Sequence, residues 1–346
     1  MESNRHDRRG RSHRGHLRAV IAVVSLLAVG SGCGQETFEP DPYDLDFDIP
    51  RTEPFPERLS AYALYEEPMA SLQPAERALP YELSSELFTD YAYKQRLLRV
   101  PEGTTMTLTD DGELEFPDGA VLVKTFYYPS DMRDATAPVR VIETRLLVKS
   151  AGLWNAATYL WNAEQTDATL LLEGTTTAVS WTDRVGQPRT TDYVVPHEGE
   201  CVTCHQANES AVFIGPTPRN LNRFVEREGN DVNQLAYFQA EGVLSRVDDG
   251  SVATIPNYKD DTESLTERAR AYLDINCAHC HSPGRWDRAS KRDLDFRYST
   301  PVEQTGLDDR RDRVARQLQD GDMPYLGTTL LHDEGIQLVL EYLDDL

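Results

Sequence analysis

The sequence predicts an α+β protein: a β-rich N-terminal domain, sandwich or barrel-like, followed by a small all-α domain. Two observations carry this. Between about Met106 and Val195 the chain runs in short segments rich in β-branched and aromatic residues, separated by Gly, Asp, Pro and Asn. After Pro196 the apolar spacing changes to three and four residues, the helical period.

Taken in order, the elements begin with an export signal over residues 1–32. Arg5, Arg8, Arg9, Arg11, Arg14 and Arg18 precede an apolar run from Ala19 to Val29, too short for the ~20 residues a membrane span needs. The run ends in Gly30-Ser31-Gly32-Cys33, which resembles a bacterial lipobox, although Gly30 stands where an aliphatic residue is usual. This predicts lipidation of Cys33, with plain cleavage or a leftover free thiol as the alternatives. The expected location is the bacterial periplasm or outer membrane, lipid-anchored. Residues 33–58, acidic and rich in proline, read as a tether that cannot bury a core.

Residues 59–200 read as mostly β. Ala120–Tyr128, Val139–Val148, Thr158–Trp161, Ala168–Leu172, Thr176–Trp181 and Asp192–Val195 are the candidate strands, with Trp154, Trp161 and Trp181 as core. Helices are expected over Asp231–Glu241 and from Ser264, where Ser264-Leu265-Thr266-Glu267 forms a capping box. Leu265, Ala269, Tyr272 and Leu273 share one face of that helix. Ile336, Val339, Leu340 and Leu343 repeat the spacing at the C-terminus, so the two helices can pack together.

Four of the five cysteines lie in two copies of C-x-x-C-H, Cys201-Val202-Thr203-Cys204-His205 and Cys277-Ala278-His279-Cys280-His281. In such a motif two thiols add across the vinyl groups of haem, and the adjoining histidine becomes the proximal ligand of iron. The expected cofactors are two covalently bound haem c, held by Cys201, Cys204, His205, Cys277, Cys280 and His281. Disulfides or a zinc site are the bland alternatives, and neither needs histidine after both pairs. The first haem belongs to residues 201–260 and is expected against the β domain, because its motif follows a strand and a loop. The second belongs to residues 261–346. His279 reads as a solvent-facing filler.

From Leu265 to Leu346 the order of helix, motif, Met323-Pro324 and closing helix with Tyr342 resembles the class I cytochrome c fold. That resemblance implies Met323 as distal ligand, a soft donor that favours ferrous iron. The alternative is a methionine filling a gap in the core. For the first haem the candidates are Met132, in the polar turn Pro129-Ser130-Asp131-Met132, then Met106, Met69 and His197, or an open site.

Pro80-Tyr81-Glu82-Leu83, Leu87-Phe88-Thr89-Asp90-Tyr91-Ala92, Val123-Lys124-Thr125-Phe126-Tyr127-Tyr128-Pro129, Ile142-Glu143-Thr144-Arg145-Leu146-Leu147 and Ile214-Gly215-Pro216…Arg219-Asn220-Leu221-Asn222 are similar to segments of an uncharacterised family of bacterial envelope dihaem c-type cytochromes. The resemblance covers most of the chain from Leu59 and is specific as to family rather than activity. The stretch between His281 and Met323 is short for that family.

The chain carries a net charge of −23, and −27 once residues 1–32 are removed with their six arginines and two acids. Such a field repels nucleic acid and steers cationic partners, here redox proteins with basic docking surfaces. A generally acidic solvated surface explains the charge equally well. The leading expectation is electron transfer in the cell envelope, with no catalytic residues. A dihaem peroxidase-like enzyme with an open first haem, and a haem-containing binding or sensory module, stand as alternatives.

Overall fold

The computed structural model describes residues 54–207, 210–286, 289 and 292–346. The export signal, Cys33 and residues 33–53 of the tether lie outside the described residues. The described residues belong to one compact unit.

The strands before the first C-x-x-C-H are β1 (Leu79–Pro80), β2 (Tyr93–Arg99), β3 (Thr107–Leu108), β4 (Leu114–Glu115), β5 (Val121–Pro129), β6 (Val139–Ser150), β7 (Leu153–Trp161), β8 (Ala168–Leu171), β9 (Thr175–Thr182) and β10 (Pro188–Val195). Six of them form an antiparallel sheet in the order β1-β2-β5-β6-β7-β8, and β9 and β10 form a separate hairpin. The α+β reading therefore holds, with an open sheet rather than a closed barrel. The hairpin β9–β10 gives a partial second layer, and non-strand segments supply the rest of the cover.

Alternation along β5 sorts the two faces. Val121, Val123 and Thr125 lie with Leu97, Leu146, Tyr159 and Trp161 on one face, sealed by Leu59 and Met69 from two 3-10 turns and by Leu64 and Tyr65 between them. A buried polar chain crosses it: Tyr65 Oη meets Thr125 Oγ1 at 2.6 Å, Thr125 Oγ1 meets Thr144 Oγ1 at 2.8 Å, and Trp161 Nε1 donates to Thr144 at 3.0 Å. Each of these buried groups is satisfied, so the chain stabilises rather than strains the core. The fold starts slightly before Leu59. Tyr159 Oη donates to the Pro56 carbonyl and Leu170 N–H to the Glu57 carbonyl, so the last tether residues already cover the sheet.

The helices are α1 (Glu198–Cys204), α2 (Pro218–Leu221), α3 (Gln234–Ala240), α4 (Leu265–Asn276), α5 (Leu307–Gln319) and α6 (Asp333–Asp344). On the second face of the sheet, α2 and α3 place Leu221, Leu235 and Phe238 over Leu98, Leu122 and Trp154. The hairpin places Val179, Trp181 and Tyr193 over Phe126, Tyr128 and Ile142. All three of Trp154, Trp161 and Trp181 are core. Helix α3 starts later than Asp231 because Asn233 caps it, accepting from Leu235 N–H and Ala236 N–H.

Helices α4 and α6 pack through Ala269, Tyr272 and Leu273 against Leu338, Val339, Tyr342 and Leu343. Ser264 Oγ starts α4 by accepting from Glu267 N–H at 3.2 Å. A side chain at Gly335 would collide with the Tyr272 ring, so glycine lets the start of α6 approach α4 this closely. Two buried amides and two carboxylate or amide acceptors join sheet and helices. Gln234 Nε2 donates to the Glu82 carbonyl, Asn220 Nδ2 to the Ser85 carbonyl, Phe88 N–H to Asn276 Oδ1, and Thr329 N–H and Leu330 N–H to Asp90.

Candidate functional site

The first C-x-x-C-H follows strand β10 after a short connection, and its two cysteines lie on α1. His197 caps this helix: its Nδ1 accepts from Gly199 N–H at 3.1 Å while its own N–H donates to Glu200 Oε2 at 2.8 Å. Three residues apart on a helix, Cys201 and Cys204 fall on one side. The chain leaves the helix at His205, whose Nδ1 lies 2.8 Å from the Val212 carbonyl. A carbonyl only accepts, so Nδ1 carries the proton and Nε2 keeps its lone pair. Burial, reinforced by Lys124, pushes the His205 pKa down to about 4, leaving a neutral ring at physiological pH.

The second motif continues from the end of α4. Cys277 N–H donates to Leu273 and His281 N–H to Cys277, at 2.9 and 2.8 Å, which wraps the motif into a further turn. The His281 ring lies 5.3 Å from that of Phe296, and burial holds its pKa at about 4. Its Nδ1 is enclosed without a hydrogen-bond partner.

The two motifs open into one cavity of about 460 Å³, within the range of cofactor sites. Cys204 Sγ, Cys280 Sγ and a His279 ring nitrogen all lie within 4.8 Å of one another. The Cys280 contact, with help from His279, holds the Cys204 thiol far below its ordinary pKa, while the same contact and burial push Cys280 up. No disulfide joins the four motif cysteines among the described residues. His279 is thus not the solvent-facing filler that its motif position suggests. Its ring turns toward the other motif, and its Nδ1 is buried without a partner.

Met323 lines the same cavity as His281. Its N–H donates to the Gln317 carbonyl, so the end of α5 fixes the loop that carries it. None of the candidates for the first haem's distal side reaches the cavity. Met69 and Met106 are 3% and 0% exposed in the hydrophobic clusters. Met132 packs beside the β9–β10 cluster, tied down by its N–H to the Thr182 carbonyl, and His197 is occupied as the helix cap. The structure instead brings His332 to the cavity wall, stacked on Phe88 at 4.2 Å and with Nδ1 3.1 Å from Tyr272 Oη. Four of the five histidines after Cys33 therefore line one cavity, a convergence the separate sequence positions do not reveal.

The sheet supplies the remaining wall. Arg96 of β2, Lys124 of β5, Arg145 of β6 and Thr158 of β7 are consecutive cross-strand partners on the cavity face. Arg96 pairs with Glu86 at 2.7 Å. Arg145 forms a bidentate pair with the fully buried Glu143, at 2.9 and 2.5 Å, and Glu143 also accepts from Tyr193 Oη at 2.6 Å. Sequence reasoning missed this row, although lysine and arginine inside two strands were its visible signal.

No family model, curated protein or solved structure matches this chain.

Proposed function

We propose that the chain is an exported dihaem c-type cytochrome that passes electrons in the bacterial cell envelope. One observation carries this reading: both C-x-x-C-H motifs line a single cavity, with His205 fixed in the tautomer that leaves Nε2 free for a metal. Ligating histidines commonly commit their second nitrogen to a carbonyl in this way.

The residues present fit two covalent haems. Cys201 and Cys204 would tether one above His205, and Cys277 and Cys280 the other beside His281, with Met323 available to the second iron. Neutral imidazoles and a thioether suit iron, and His/Met ligation raises a reduction potential. Bound there, haem supplies one-electron exchange between ferric and ferrous iron. The protein's part is placement: with Cys204 and Cys280 in contact, the thioether edges of the two groups would be neighbours, a short path for an electron.

The class I cytochrome c likeness of residues 261–346, the dihaem family, the lipid anchor at Cys33 and partners with basic docking surfaces belong to the same proposal. The paired helices α4 and α6 support the first, and the sequence supports the others. Pyridine haemochrome analysis with intact mass tests the core claim. Two covalent haems are expected, and a chain purified from a cytochrome c-maturing host without any overturns it.

A second reading has its own observation. Cys204, His279 and Cys280 form a three-ligand soft-metal set of the kind that binds zinc. Stoichiometric zinc in haem-free protein purified from that host would establish it in place of the first.

A further inference from the structure

The row Arg96–Lys124–Arg145 is electrostatically odd. Like charges directly opposite one another across strands destabilise a sheet, and here three cations stand side by side. Two are compensated, Arg96 by Glu86 and Arg145 by Glu143. The Lys124 side chain, between them, makes no hydrogen bond or ion pair among the described residues, and its Nζ lies 5.5 Å from the centre of the Phe126 ring. Burial, with Arg145 and Arg96 beside it, pushes its pKa down to about 7.

The rest of the cavity repeats the pattern. Arg292, Arg310 and Arg313 also line it, against only Asp90 and Glu200 among acids. Arg310 is compensated too, by Asp293 at 2.9 Å, which leaves Lys124, Arg292 and Arg313 as the lining cations without an ion pair among the described residues, against Asp90 and Glu200. A cavity-facing cation without a carboxylate partner, as Lys124 is, favours an anion brought by a ligand. Lys124, Arg145, Cys201 and Cys204 line the same cavity, so an anion held there would belong to what the motifs hold.

We infer that Arg96, Lys124 and Arg145 form a carboxylate site that receives a propionate of the haem bound in this cavity, with Lys124 as its direct charge partner. This rests on the dihaem reading. It makes the sheet face an electrostatic anchor for the cofactor, and Lys124 a positioning residue.

The test compares wild type, Lys124→Gln and Lys124→Arg, each loaded with haem in a cytochrome c-maturing host. Resonance Raman of the ferrous protein reads the propionate bending bands, and a spectroelectrochemical titration reads both potentials. In Lys124→Gln a propionate band shifts and one potential falls, because a cation that disfavoured the ferric state is gone. The expected change is a few-fold to tenfold in the reduction equilibrium, tenfold being 59 mV for one electron. Lys124→Arg restores both signals. Two haems with unchanged Raman bands and potentials in Lys124→Gln overturn the carboxylate site alone. Absence of covalent haem from all three proteins overturns this inference together with the dihaem reading.

Discussion

Cys204 and Cys280, one from each C-x-x-C-H motif, bring their sulfur atoms within 4.8 Å across the cavity. Cys204 ends α1 and Cys280 lies in the turn that follows α4, and the packing of sheet against helices makes them neighbours. The proximity ties the chemistry of the two motifs together, since a thiolate at Cys204 is stabilised by hydrogen bonding from Cys280 and His279.

Thiol reactivity reports that coupling. The thiolate is the nucleophile, so in protein produced without haem attachment Cys204 should be alkylated well before Cys277 and Cys280 near neutral pH. Burial pushes Cys277 up to about 12, which leaves it nearly unreactive in the folded state. Peptide mapping after a brief iodoacetamide pulse checks this order, and equal labelling of the three would refute it. In haem-loaded protein all four sulfurs would be thioethers and none should label.

Asp90 is the clasp between the sheet side and the loop that carries His332. Its carboxylate accepts from Thr329 N–H, Leu330 N–H and Thr329 Oγ1 at 2.7, 2.7 and 3.0 Å, and its carbonyl accepts from Tyr128 Oη. Asp90→Ala leaves two loop amides unpaired and should lower stability by about 3 kcal/mol. Urea unfolding measures the loss, and hydrogen exchange should show lost protection at Thr329 and Leu330 first. An unchanged midpoint would show that the clasp is dispensable.

The six strands read from alternation and β-branched content all exist, because strand formation here follows local pattern and both faces of the sheet are buried. Helices α4 and α6 were equally visible through their spacing. What the sequence hides is which faces meet. Met69 and Met106 were plausible iron ligands by chemistry but lie in the core, since a methionine's role depends on which wall it faces. His279 and Lys124 gain significance only when the 71 residues between the two motifs fold them together and the register aligns three cations. The β2 strand, Tyr93–Arg99, also escaped notice because its Lys94, Gln95 and Arg96 look like a solvated segment.

Tyr342 offers a substitution of the opposite sign. It is 1% exposed in the α4–α6 core, and its hydroxyl has no hydrogen-bond partner among the described residues. A buried unsatisfied hydroxyl is a desolvation penalty with nothing returned, so Tyr342→Phe should stabilise the chain by about 1 kcal/mol. Thermal unfolding should show a raised midpoint, whereas Tyr342→Ala opens a cavity and should destabilise by about 3–5 kcal/mol. A lowered midpoint in Tyr342→Phe would reveal a hydroxyl partner and defeat the argument.

His332 sets an acid limit on the fold. Buried between Phe88 and Tyr272, its ring has a pKa pushed down to about 4 by burial, with Glu334 opposing the shift. The unfolded chain binds its proton near the ordinary value of 6.5. Above pH 6.5 both states are neutral and the residue makes no pH-dependent contribution. As pH falls from 6.5 toward 4 the unfolded state gains a proton that the folded state refuses, and stability drops by on the order of 2–3 kcal/mol. Replacing it with His332→Gln keeps a hydrogen-bonding partner for Tyr272 Oη while removing the titration. Urea midpoints at pH 7.5 and 4.5 should therefore converge more in the variant than in wild type. Identical acid sensitivity in the two proteins would place the effect elsewhere, and an NMR titration placing His332 near 6.5 would remove its cause.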